Sequence, residues 1–252
     1  MKTRLKCQAP SVQGSLDLYF FHHSEFGEND QLLEPAIETM RAFQAQGLVR
    51  AIGMRGPHRF ALHRLDNSEP RMDKVARFRT LFERIEPDVL AVRDNLLTPQ
   101  DRSEGIFAFA AARNCGVLIN KPLAQGLLTG SYDPGAPRVF GEGDHRCRKR
   151  WFTPDAVAIL TTGLEELRKQ VGPTTTHVVR IALWSCLQRY EHAAVLVGFT
   201  TPDQIKMNLT CLGLAPTDEE LAMAREIMAR VQAQLDASGE VFIDECPVEV
   251  AP

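Results

Sequence analysis

Five short apolar runs punctuate the chain, starting at Leu16 (LDLYFF), Val49 (VRAIGM), Val89 (VLAV), Gly116 (GVLIN) and Val195 (VLVGF). They do not alternate polar with apolar residues, so they predict parallel strands covered on both faces rather than half-exposed antiparallel ones. A segment of helical period follows each run. Leu33, Ile37, Met40 and Phe43 fall near one helical face, and Gly47 supplies the stop. The first four runs recur at about the 30-residue length of a strand, helix, parallel-strand unit.

The gap before the fifth run is much wider. It holds a loop rich in Gly, Pro and charge, 131–155, and two helices, Ala156 to Gln170 and Thr174 to Gln188. Thr153 with Pro154 marks the start of the first of these, because a threonine cap ahead of a proline favours a first turn. A helix containing Asn208 comes after the fifth run, then one from Asp218 to Leu235. Thr217 and Glu220 form a capping-box pattern at its start. The tail, 237–252, has no helical period, and 1–15 precedes the first strand.

Five such units predict a parallel α/β fold in one domain over 1–252. The length of 252 residues matches the roughly 250 of a (β/α)₈ barrel of the TIM type. Periodicity alone leaves barrel and open sheet both standing. The first strand is not followed by GxGxxG, so a dinucleotide-binding Rossmann domain is not supported.

Composition narrows the function. Hydrophobic residues make up 44% and charged residues 24%, which fits a soluble globular chain. The net charge of −3 offers no global attraction for nucleic acid or an anionic membrane, so any anion site is local. No apolar stretch reaches membrane-spanning length and no signal peptide is evident, so a cytoplasmic protein is expected. The six cysteines (Cys7, Cys115, Cys147, Cys186, Cys211, Cys246) form no CxxC pair and read as reduced, mostly buried thiols. His58 and His63 lack carboxylate or thiolate partners at ligand spacing, so no metal site is expected. The basic run HRCRKRW, His145 to Trp151, is too short to make the chain a nucleic-acid binder and reads as a solvated lid.

The motifs together carry a specific resemblance. LDLYFFHH is similar to the strand DLYxxHxP of aldo-keto reductases, QGLVRAIGM to KGKVRxIGVS, and RDNLL to EYNLL. KPLAQGLLTG resembles SPLAQGLLTG, and VLVGFTTPDQIKMN resembles VIPGxxxPEQLxEN. The matches run in order over roughly 16–215. The resemblance implies an incomplete (β/α)₈ barrel whose five units correspond to strands four to eight, and a carbonyl reductase using NADP(H). It assigns His22 the role of the histidine that orients the substrate carbonyl. A neutral imidazole N–H suits this task because it can hydrogen-bond a carbonyl oxygen. His23, next along the strand, is expected on the opposite face.

At the phosphate end the resemblance places Leu123, Gly126 and Leu128 beside the cofactor's pyrophosphate. It places Gly198 and Thr200, Thr201 and Gln204 at a helix N-terminus facing the adenosine phosphate, with Asn208 at the adenine. Helix N-termini favour anions through free N–H groups and the dipole. A GDxR loop like 143–146 lies near the cofactor in such reductases.

Departures from the pattern bear on activity. The family's Asp, Tyr and Lys come from three earlier units that are not matched here, and a general acid contributes about 10² to 10⁴ in rate. Its nicotinamide contacts match Arg55, Gly56, Ala91 and Asn120. Arg55, Arg93 and Lys121 at strand ends, with Asp94 among them, suit an anionic small-molecule substrate held by charge-assisted hydrogen bonds. Two other readings stay open. One is a repurposed barrel enzyme, a lyase, cyclase or epimerase, with His22 as acid or base. The other is a non-catalytic binding protein, and a homodimer would cover the open sheet edges.

Overall fold

The computed structural model describes residues 14–57, 74–98, 100–144, 146 and 149–238. Strands β1 (Leu16–Phe21), β2 (Val49–Arg55), β3 (Val89–Arg93), β4 (Gly116–Asn120) and β5 (Ala193–Leu196) form one sheet in the order β1-β2-β3-β4-β5. All four pairings are parallel. Sequential order and parallel pairing are what a stretch of (β/α)₈ barrel requires, and five strands make an incomplete one. Helices α1 (Leu33–Ala45), α2 (Lys74–Ile85) and α3 (Gln100–Ala111) make the first three crossovers.

Register fixes which side chains share a face. Phe21 pairs with Met54, Met54 with Leu90, Leu90 with Val117, and Ile119 with Val195. These positions, with Ile52 and Val92, form one core with Phe78, Phe82 and Ile106 from the helices. Leu33 and Met40 of α1 join it, as the helical spacing of that segment predicts. Gly47 takes φ +70 and the Leu48 N–H bonds to Phe43 O, a Schellman closure that ends α1 and delivers the chain to β2.

Period two sends the alternate residues to the other face: Leu18, Phe20, Ala51, Gly53, Arg55, Ala91, Arg93, Leu118, Asn120 and Leu196. That face is covered less well than the runs predicted. Leu196 is 51% exposed, and Leu18, Phe20, Ala91 and Leu118 are half-buried. Gly53 is the exception, because the Phe20 ring lies over it so closely that a Cβ would stand 2.4 Å from that ring. The physical reason is that the described strands do not curl round to a closing partner, so one face lacks the packing that a closed barrel gives it.

A second core lies beside the sheet. It joins α4 (Pro154–Val171), α5 (Thr175–Leu187) and α7 (Asp218–Ala237) to the 3-10 turn Ala124–Thr129. Thr153 caps α4 by accepting from the Ala156 N–H, and Thr217 with Glu220 forms the capping box on α7. Gly163 lets α4 and α7 approach so closely that its Cβ would stand 2.2 Å from Val231 Cγ2. Between α5 and α7 lies α6 (Pro202–Leu212), which buries only Cys211.

The described part of the run His145 to Trp151 departs from the expected solvated lid, and the loop around it is anchored as well. Tyr132, Phe140 and Phe152 stack as a tilted and edge-on cluster, with Tyr132 and Phe152 centroids 5.3 Å apart. Trp151 is buried, and buried Lys149 donates to Gln125 Oε1 at 2.7 Å. Aromatic residues spaced through a polar stretch anchor it to the core, which charge density in the sequence conceals. His145, Cys147 and Arg148 lie outside the described residues, as do His58, His63, Cys7 and Cys246 and most of the two terminal segments.

Candidate functional site

The C-terminal edge of the sheet gathers most of the residues singled out from the sequence. His22 is the first residue beyond β1, Arg55 ends β2, Arg93 ends β3 and Lys121 follows β4. Arg93 pairs with Asn120, and Asn120 with Leu196, so Lys121 and Gly198 leave neighbouring strands at similar height. Parallel strands put all their C-terminal ends on one side, which is where barrels carry their sites. His22 is exposed there, and Arg55 and Arg93 share the face opposite the helices.

Two expectations need correction. His23 does not point away from His22. Their rings stand 5.4 Å apart, edge to face, because β1 ends at Phe21 and the alternation of the pleat ends with it. Asp94 does not join the strand-end cations either. It is the next residue after Arg93 and falls on the helix side, 4% exposed, with its Oδ2 3.1 Å from Arg189 Nε.

The cofactor residues assemble in two places. Leu123, Gly126 and Leu128 belong to the turn after β4, where Ala124, Gln125 and Gly126 all have positive φ. The N–H groups of Gly126 and Leu128 both bond to Leu123 O, at 2.9 and 3.3 Å. Leu128 is fully buried, so its side chain serves the core beneath the turn. These two N–H groups hold the turn's shape.

The second place is the start of α6. Thr201 is the N-cap and accepts from the Gln204 N–H at 3.3 Å, while Gln204 Oε1 accepts from the Thr200 N–H at 2.6 Å. Short polar side chains have closed those donors, and Asp203 in the first turn adds negative charge. Gly198 has open space where a Cβ would stand. The amide oxygen of Asn208 is buried with no hydrogen-bond partner among the described residues. An orphaned acceptor costs about 1–3 kcal/mol. A donor such as an exocyclic amine would satisfy it after a rotation of the amide.

One ionic cluster escaped the sequence reading. Asp94, Ser103, Arg189 and Arg225 meet between the end of β3, α3, the end of α5 and α7. Ser103 accepts from Arg189 Nη2 at 2.7 Å and donates to Asp94, and the Arg189 guanidinium stacks 4.8 Å from the Phe107 ring centre. Burial pushes the Asp94 carboxyl up to about 6 and outweighs the pull of Arg189. The Arg189 Nε–H is buried and makes no hydrogen bond, so the 3.1 Å approach is an ion pair without good donor alignment. Residues from four distant segments build this cluster, and no local motif announces it.

The described thiols are chemically quiet. Cys115, Cys186 and Cys211 are free and buried. Burial raises each of them, Cys115 to about 11, which leaves almost no thiolate at neutral pH. Among the described residues no group of three or more His, Cys, Asp or Glu could hold a metal, and no helix is long and apolar enough to cross a membrane.

With the fold and edge geometry in place, likeness to known proteins decides the family. The sequence pattern of the "Aldo/keto reductase family" matches residues 11–229. The chain belongs to the aldo/keto reductase family. It is 22% identical over 214 residues to the NADH-specific methylglyoxal reductase of Escherichia coli K12, covering 84% of this chain and 59% of that protein. It is 25% identical over 223 residues to the L-galactose dehydrogenase of Arabidopsis thaliana, covering 88% and 59%. The chain thus spans about 59% of the length of these relatives. Among solved structures, the glycerol dehydrogenase AKR11B4 of Gluconobacter oxydans superposes with a TM-score of 0.61 at 20% identity, over 86% of this chain and 59% of that one. The aldo-keto reductase AKR11C1 of Bacillus halodurans does so at 0.52 and 20%, over 86% and 61%. Such likeness shows the fold: β1–β5 with their helices are part of an aldo-keto reductase (β/α)₈ barrel.

Proposed function

We propose that β1–β5 stand in the place of strands four to eight of that barrel. In this reading the chain is an oxidoreductase that binds NADP(H) by its adenosine end and reduces a carbonyl compound weakly. Family members generally draw on NADH or NADPH, which would supply the hydride when bound. The observation that carries the reading is the shared edge, where His22, Arg55, Arg93, Lys121 and the start of α6 leave the sheet on one side. His22 would hydrogen-bond the carbonyl oxygen. Arg55, Arg93 and Lys121 would select an anionic substrate by charge.

The residues fit a dinucleotide at one end only. Asn208 offers an unmet acceptor for adenine, and Gly198 has open space where a Cβ would stand. At the reactive end Arg55 and Gly56 match a serine and an asparagine that hold a carboxamide, and Ala91 and Asn120 cannot replace the glutamine and stacking tyrosine. No tyrosine stands there among the described residues. Tyr19 lies on the helix side of β1, Tyr132 bonds to Gln125 O in the aromatic cluster, and Tyr190 packs beside His192. These are all three tyrosines of the chain. Weak turnover follows from that placement.

Titration with NADPH and NADH, followed by quenching of Trp151 and Trp184 fluorescence, tests the binding. Quenching by NADPH that Asn208→Ala weakens is the expected result, together with methylglyoxal reduction barely above the background rate. No quenching by either dinucleotide would overturn the cofactor reading, and tighter binding of NADH would overturn the preference for NADP(H).

The dimer rests on separate ground. At one edge of the sheet Leu16 and Leu48 are exposed, and at the other Leu196, Phe199, Leu209 and Leu212. Ile205, Leu209 and Leu212 form an exposed stripe on α6, at helical spacing, near the edge of β5 that no described strand pairs. A second copy of the chain would bury these apolar groups. Sedimentation velocity is expected to show a dimer whose share falls on dilution, and a monomer at all concentrations excludes it.

A further inference from the structure

The loop between β1 and α1, 22–32, carries His22 and follows a backbone course that few residues favour. Gly27, Asn29 and Asp30 all stand at positive φ, of 84, 52 and 60. So many left-handed residues in one short loop persist only where the surroundings hold them. Two anchors do so here. One is apolar. Phe26 is buried with its ring 5.8 Å from that of Phe21, the last residue of β1, and its carbonyl accepts from the Leu32 N–H at 2.9 Å.

The other anchor comes from the next unit. Arg77 of α2 engages the loop with its whole guanidinium. Nη1 and Nη2 donate to the two carboxylate oxygens of Asp30, each at 2.6 Å, and Nε and Nη2 donate to the Ser24 carbonyl at 3.2 and 2.6 Å. The side chains of Arg77 and Asp30 are only 12% and 16% exposed. A planar fork that is satisfied on two sides and shielded from water fixes geometry as well as charge. Arg84, further along α2, pairs with Glu34 of α1, but both are well exposed and such pairs contribute little.

His22 therefore lies between two fixed points. Phe21 before it belongs to the core on the sheet, and the Ser24 carbonyl two residues after it is held by Arg77. His22 and His23 are exposed, so burial of their own rings does not place them.

We propose that Arg77 is the positioning residue for His22: through Ser24 and Asp30 it holds the β1 loop so that the imidazole stays at the C-terminal edge. The proposal rests on the reading of His22 as the hydrogen-bond donor to the substrate carbonyl. Misplacing such a group by about 1 Å can cost about 10²-fold in rate. Arg77 acts from the helix layer, through the backbone of the loop.

Backbone order parameters of residues 22–25 test this on the full chain, in wild type, Arg77→Met and Asp30→Asn. The amides are expected at about 0.85 in wild type and below about 0.6 in both variants, with those of β2 to β4 unchanged. Methylglyoxal turnover with NADPH is measured beside them, at an enzyme concentration high enough to resolve a rate near background. Turnover of Arg77→Met is expected to fall to that of His22→Gln, and the double variant Arg77→Met/His22→Gln to fall no further. A residue that only stabilised the fold would lower the double variant again. Asp30→Asn, alone and with His22→Gln, covers the case in which Arg77→Met misfolds. Order parameters that stay high in the folded variants overturn the positioning role. So does a double variant slower than His22→Gln, or an Arg77→Met rate left at the wild-type level while His22→Gln lowers it. Equal turnover of wild type and His22→Gln overturns instead the reading of His22 as donor, and the order parameters then decide by themselves whether Arg77 holds the loop.

Discussion

Arg189→Ala is expected to cost the folded chain about 3–5 kcal/mol at pH 8 and distinctly less at pH 5. At pH 8 the variant leaves the buried Asp94 carboxylate with the more distant Arg225 as its cation, or forces it to take up a proton. Removing one partner of a buried pair exposes the full desolvation penalty of the other. At pH 5 Asp94 is already largely neutral, and the loss shrinks to the Ser103 hydrogen bond and the Phe107 stacking. The wild-type chain carries the same signature in weaker form. A carboxyl raised from 3.8 to about 6 favours folding fully below about pH 4, and that contribution fades as pH rises through 6. The shift corresponds to about 3 kcal/mol. Urea midpoints for both proteins between pH 4.5 and 8 measure it, and a cost of Arg189→Ala that does not change with pH would remove Asp94 as the cause.

Leu128→Ala is expected to lose about 2–5 kcal/mol of stability, because the side chain is fully buried beneath the turn after β4 and its removal leaves a cavity. The loss reaches the proposed cofactor edge. Leu128 shares its core with Leu127, Tyr132, Trp151 and helices α4, α5 and α7, and the Leu123–Gly130 turn keeps its left-handed residues by resting on that core. Leu128→Met conserves volume and is expected to cost less than about 1.5 kcal/mol. Denaturant midpoints compared with NADPH titrations separate the roles. If Leu128→Ala weakens NADPH binding and Leu128→Met does not, the residue acts through packing. Equal weakening by both would point to direct contact with the cofactor.

The two variants probe different layers of the same architecture. Leu128 sits in a turn whose motif, KPLAQGLLTG, is visible in the sequence, yet only its packing shows that the side chain points into the core. Arg189 follows a helix and carries no motif. Its place beside Asp94, on the far side of the sheet from Arg93, depends on the alternation of β3 and on the hydrogen bond that ties the end of α5 to Ser103 of α3.

The sequence by itself determined the elements and their order. Apolar runs without alternation marked all five strands, helical period with Gly47, Thr153 and Thr217 set helix ends, and the chain of motifs identified the family. These signals are local, with periods of two or four residues or contiguous turn chemistry, so they survive without knowledge of the fold. Only the tertiary structure decided which polar groups are spent and which are left over. The N–H groups of Gly126, Leu128, Thr200 and Gln204 proved to be engaged within their own turns, while Asn208 and Arg189 keep buried atoms without hydrogen-bond partners. It also showed that a sheet built from apolar runs leaves one face half-covered, because burial on both sides of a strand requires partners that local pattern does not supply. The buried ionic cluster has the same origin: Asp94, Arg189 and Arg225 are far apart along the chain, and only folding brings them together.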